Sequence, residues 1–212
     1  DRGFAIAAEI PRAMFGREDE IENRLKDLQK LGVYEVLASN LGAVALAKKL
    51  GMDIHGGFGL NLANTAALEW AESFGMLDVE VSFELTLAQI AELGGNIPRG
   101  IISYGRLPLM LTRNCPAKND GKGCKNCKTP PIIRDRKGKE FPIICDKKSC
   151  EILNSVPLIL SDRQSEIKNV DFEILHFNVE NSVESSGKFK DYVEKNAPKA
   201  EFTRGLYYRG LS

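Results

Sequence analysis

The sequence predicts an α/β protein: parallel βα repeats forming part of a TIM-like β/α barrel, with a small cysteine-rich metal-binding insertion. Three observations carry this. Short apolar runs alternate with stretches of helical periodicity through the first hundred residues. Several of the helical stretches close on a glycine, as a helix C-terminus favours. After Gly105 the rhythm gives way to a segment rich in Cys, Lys, Asn, Gly and Pro. Strands joined by helices of this length make right-handed crossovers and hence a parallel sheet. Five such units suit half to two-thirds of a barrel, and a doubly wound open sheet is the alternative.

In order, residues 4–10 read as a strand, and residues 18–31 as a helix with Ile21, Leu25, Leu28 and Leu31 on one face, stopped by Gly32. Residues 33–39 form the next strand and 41–50 the next helix, closed by Gly51. A third strand from Asp53 runs into the glycine-rich HGGFGLN, followed by a helix over 62–74 ended by Gly75. Residues 77–83 make a fourth strand, 85–93 a short helix and 100–104 a fifth strand. Within 113–150 only short strands fit, at 132–133 and 141–144, joined by a turn at Lys137–Gly138. Strands at 156–161 and 172–179 and a helix over 186–196 follow. The whole reads as one α/β domain over 1–212, with 113–150 inserted in it. The chain opens directly on a strand, so the missing barrel strands are expected upstream, in the same polypeptide.

The chain has 29 basic and 29 acidic residues, a balance that argues against a general nucleic-acid binder. Charge is nonetheless segregated. Residues 99–148 hold thirteen Lys or Arg and four Asp or Glu, a net of +9, which leaves −9 elsewhere. That basic segment is a candidate footprint for structured RNA. Compensation of the thiolates and of the acidic remainder is the plainer explanation. No apolar run approaches the ~20 residues that span a bilayer, and the N-terminal segment has no signal-peptide pattern, so a cytoplasmic protein with no membrane partner is expected.

All five cysteines lie in the basic segment: Cys115, Cys124, Cys127, Cys145 and Cys150. An odd, clustered set without a secretory signal favours metal ligation over disulfides. Two residues between Cys124 and Cys127 let both sulfurs face one ion, with Cys115 and Cys145 completing a four-thiolate centre. Four thiolates suit zinc or a [4Fe-4S] cluster equally. Cys150 is left over and expected to pack. Scattered buried cysteines plus one redox pair are the plainer alternative.

Other candidates follow the rule that barrel sites gather at the C-terminal ends of strands. Glu84, after the fourth strand, and His55, ending the third, are the catalytic candidates. Glu84 also suits a first helical turn. Glu9 ends the first strand. Asn61 and Asn64 would line a substrate pocket beside His55, unless His55 is simply a hydrogen-bonded histidine. Tyr104, Arg106 and Arg113 would hold an anion where the fifth strand enters the basic segment. The GGFG loop lacks a phosphate-loop order.

SYGRLPLMLTRNCP, the CxxC, DRKGKEFPIIC, EILNSVPLILSDR and FTRGLYYRG resemble the peptidase U32 family, the collagenase-like proteases, and its long members in particular. The resemblance runs from about Gly57 onward, its specific part being the cysteine segment and its flanks; residues 1–54 share only α/β character. It implies either proteolysis or, as for several members, hydroxylation of RNA bases or ubiquinone precursors with a four-cysteine iron–sulfur cluster. The chain has two histidines and no HExxH or GxSxG, and four thiolates close a zinc ion's coordination sphere. Modification chemistry is therefore the better expectation, with a true peptidase or a binding domain with a structural zinc knuckle as alternatives.

Overall fold

In the computed structural model, residues 3–116, 131–146 and 148–209 are described. They form two compact units, divided within the fifth strand. Unit one comprises Asp1–Ile101, Ile167–Glu173 and Leu206–Ser212, and unit two Ile102–Glu166 and Ile174–Gly205.

Unit one is the expected βα repeat. β1 (Ala7–Glu9), α1 (Glu18–Lys30), β2 (Glu35–Ala38), α2 (Leu41–Lys49), β3 (Asp53–Gly56), α3 (Thr65–Phe74), β4 (Asp78–Glu80) and α4 (Leu87–Ala91) lead into β5 (Arg99–Gly105). The strands run parallel in the order β1-β2-β3-β4-β5. One face of the sheet carries Val36, Ala38, Ile54 and Val79, all buried, and α2 packs on β2 and β3. Val36, Ile54 and Val79 each contribute roughly 1.5–3 kcal/mol by leaving water. Helix starts are local in origin. Asn40 and Asn64 cap α2 and α3 by accepting the Ala43 and Ala67 backbone N–H groups, and Thr86 with Gln89 forms a capping box on α4. β4 stops at Glu80, and Val81 makes only a single bridge to Leu62, so this strand is shorter than its apolar pattern suggests.

Unit two holds a four-stranded antiparallel sheet in the order β6-β9-β8-β7, with β6 at Pro108–Thr112, β7 at Ile132–Arg134, β8 at Glu140–Asp146 and β9 at Ser149–Leu153. The β7–β8 hairpin turns through Lys137–Gly138 as expected, while β6 and β9 lie where the sequence assigned no strand bounds. β10 (Leu158–Ile159) pairs antiparallel with Gly105 and Tyr104. β11 (Phe172–His176) pairs with β5, and α5 spans Ser182–Val193, starting four residues earlier than its pattern indicated because Asn181 and Glu184 form a capping box. No described helix is long and apolar enough to cross a membrane.

Candidate metal centre and a carboxylate-lined pocket

The cysteines converge through strand pairing. Asp146 and Ser149 are the last pair of the β8–β9 hairpin, so the next pair inward sets Cys145 directly opposite Cys150, with Cα atoms 4.0 Å apart and the sulfurs joined. β6 lies on the other side of β9 with Thr112 opposite Cys150. The Thr112 hydroxyl donates to the carbonyls of Asn114 (2.8 Å) and Cys150 (3.3 Å), bending the chain after β6 back toward β9. Cys115 thereby returns to the hairpin, and the sulfurs of Cys115, Cys145 and Cys150 all lie within 4.8 Å of one another. Cys150 is buried with Ile143 and Ile152, against which Cys115, Ile133 and Phe141 pack, whereas Cys145 is exposed.

Three soft donors so placed can bind a metal ion. A tetrahedral zinc with bonds of about 2.3 Å spaces its sulfurs about 3.8 Å apart, within the observed spread. The donor chemistry fits, provided Cys145 and Cys150 are reduced, since a bonded pair offers no thiolate. Cys150 is therefore both the packed residue the sequence suggested and a member of the cluster, which the sequence did not suggest. Cys124 and Cys127 lie outside the described residues.

A second constellation occupies unit one, on the sheet face opposite Val36 and Ile54. Glu9, Leu37, His55 and Asp78 stand in register across four strands, with Glu80 one step further along β4. With Glu35 they line an open pocket of about 450 Å³. His55 donates through Nδ1 to Asp78 at 2.9 Å, and its Nε2 lies 3.2 Å from Glu35, contacts that raise its pKa above the ordinary value. With both ring nitrogens held by carboxylates, the imidazolium has no lone pair for a nucleophile. Glu80 is buried and accepts the Phe58 backbone N–H at 2.9 Å. Burial pushes its pKa up to about 7 against that hydrogen bond, and the negative charges of Glu9 and Asp78 add to the rise.

The remaining sequence candidates have partners of their own. Glu84 is exposed in the turn before α4, its backbone N–H donating to Ser82; the carboxylate at the end of β4 is Glu80. Asn64 is the α3 cap, and Asn61, in the left-handed region at φ 52°, accepts from the Ser82 hydroxyl. Tyr104 is buried and donates to Glu180 at 2.8 Å. The Arg106 guanidinium donates to the carbonyls of Asn154 and Ser155. Arg113 is exposed just past β6, two residues before Cys115. Asp78, Glu80 and Glu35 escaped the sequence reading. Their signal was an acidic residue at alternate positions of an apolar run, which in a barrel strand marks the face turned from the helices.

The model of peptidase family U32 matches residues 15–123. The chain belongs to peptidase family U32. The match covers α1 to β6 and Cys115, and so includes the N-terminal repeats that looked merely generic in sequence; it ends before Cys124. No curated protein and no solved structure matches this U32 chain.

Proposed function

We propose that this U32 chain carries a four-thiolate metal centre and serves a metal- or iron–sulfur-dependent modification reaction of the hydroxylation type, on RNA or a small molecule. The observation that carries the reading is the convergence of the Cys115, Cys145 and Cys150 sulfurs. Either Cys124 or Cys127, close by in sequence, supplies the fourth donor. Bound there, zinc ties the strands together, whereas a [4Fe-4S] cluster supplies one-electron chemistry. The chain's own residues do the rest. The thiols of β8, β9 and the segment after β6 hold the centre. The basic segment 99–148 attracts a polyanion such as structured RNA. A reducing cytoplasm keeps the ligands as thiolates.

The family name speaks for hydrolysis of peptides, but the chemistry does not. A serine-, cysteine- or metal-dependent hydrolase needs a free base beside a nucleophile or a metal with an open position. His55 is held at both nitrogens, and four thiolates leave zinc no open position. A structural zinc knuckle on a binding domain is the second reading, since three sulfurs within 4.8 Å of one another are close enough to share a single ion once Cys145 and Cys150 are reduced.

Elemental analysis of anaerobically purified chain tests the proposal. About one metal centre per chain is expected. Brown protein with iron and acid-labile sulfide supports the modification enzyme; colourless protein with one zinc supports the knuckle. Metal-free protein with titratable thiols overturns both. Casein and gelatin should remain uncut, and cleavage that survives metal removal would restore the peptidase.

A further inference from the structure

We propose that the Cys145–Cys150 pair is a peroxide-operated gate on the thiolate centre: as two thiols it ligates the metal, and as a disulfide it releases it. The inference rests on the metal reading above and adds its regulation.

Strand register is the first argument. Cys145 and Cys150 are held opposite each other by the β8–β9 ladder, so their approach needs no metal to organise it. Their Cα separation of 4.0 Å puts one sulfur within bonding reach of the other. Such a pair closes as an intramolecular step, far faster than two free thiols meet. Asymmetry of exposure is the second. Cys145 is exposed, next to a turn that presents the exposed Lys148, whereas Cys150 is buried among Ile143 and Ile152. An oxidant from solution therefore meets Cys145 first, and Cys150 waits behind it as the resolving thiol. The third argument is donor number. Joining the pair removes two of the three convergent sulfurs and leaves Cys115 alone among them.

The chemistry balances with hydrogen peroxide as oxidant. The Cys145 thiolate attacks the peroxide O–O bond, which breaks to give the sulfenic acid and, with one proton, water. The Cys150 thiol then attacks the Cys145 sulfur, the S–O bond breaks, and a second water leaves as the S–S bond forms. Two thiols are oxidised and one peroxide is reduced. A dithiol reductant reverses the state, attacking the exposed Cys145 sulfur and passing through a mixed disulfide.

The test uses the whole chain, reduced anaerobically and loaded with zinc as the probe metal. Hydrogen peroxide is added in steps while released zinc is read with a chromogenic chelator and cysteine pairing is mapped by peptide mass. Zinc should leave in proportion to a disulfide between the Cys145 and Cys150 peptides, and dithiothreitol should restore both thiols and zinc binding. In Cys150→Ser, peroxide should instead add oxygen to Cys145. Zinc retained after the pair has joined, or released while both remain thiols or join other cysteines, overturns the gate alone. Reduced chain that takes up no zinc overturns the metal reading and the gate with it. The unsubstituted chain decides all of these, so the test stands even if the variant fails to fold.

Discussion

At the scale of single residues, Glu80 is the group whose ionisation the fold most disturbs. Its pKa rises from 4.5 to about 7, so the folded chain binds a proton that the unfolded chain has already lost between those values. Stability should therefore fall as pH climbs from about 4.5 to 7 and level off above. The shift corresponds to about 3 kcal/mol. Glu80→Gln keeps an acceptor for the Phe58 N–H and removes the charge. It should raise the denaturant midpoint at pH 8, leave it nearly unchanged at pH 4, and flatten the slope between. An unaltered pH profile would show that Glu80 is not buried as a carboxylate. His55 acts in the same direction over a higher window. Its raised pKa gives stability present below about 6.5 and lost as pH rises through the folded value, so a residual slope should persist in Glu80→Gln. The sequence displayed His55 and Glu9 as strand-end candidates because both sit where a strand meets a loop. It hid Glu80 because LDVEVSF reads as one strand as far as Phe83, which moves the strand end to Glu84. Cys150 was hidden for another reason: spacing along the chain carries no information about the partner across a hairpin.

At the scale of elements, the parallel repeats were legible because each helix advertises itself twice, through its apolar face and its terminal signals. Asn64 shows the value of those signals. It was a pocket candidate, yet its side chain accepts the Ala67 N–H at 2.9 Å. Asn64→Ala should cost about 1 kcal/mol of stability, seen as a lower denaturant midpoint, and leave metal content unchanged. The bounds of β6 and β9 were illegible since PLMLT is short and starts on proline, and SCEIL continues into a run that suits helix or strand equally. Their identity comes from each other, as neighbours in an antiparallel ladder. A close approach of two strands yields a sharper prediction. A Cβ on Gly100 of β5 would lie 2.2 Å from the Phe172 ring of β11, so Gly100 is what lets that ring rest on the sheet. Gly100→Ala should destabilise by about 1–3 kcal/mol through overpacking. Combined with Phe172→Leu the loss should be less than the sum of the single losses, since the second change vacates the contested space. Additive losses in chemical denaturation would show that the two positions do not touch.

At the scale of the whole molecule, zero net charge conceals a basic segment of +9 set against a remainder of −9. Two physical origins compete: phosphate recognition, or neutralisation of thiolates and of the acidic remainder. They differ in how they respond to salt. If the segment contacts RNA, each neutralised phosphate releases condensed counterion, and log affinity falls linearly with log salt, by roughly 0.7–0.9 per contact. Lys122, Lys125 and Lys128 surround the CxxC in sequence and lie outside the described residues. Reversing all three to Glu should lower affinity for a structured RNA and reduce the salt slope by about two to three. Metal content should be unchanged, because the thiols remain. Arg134 makes a poor choice for the same purpose, since Glu140 already holds its guanidinium at 2.5 Å. Reversal there should change the slope little, which makes it the control. An affinity absent at low salt, or indifferent to the triple reversal, assigns the positive charge to internal balance. In that case the acidic remainder is its counterpart, and high salt should lower the chain's stability without touching any ligand.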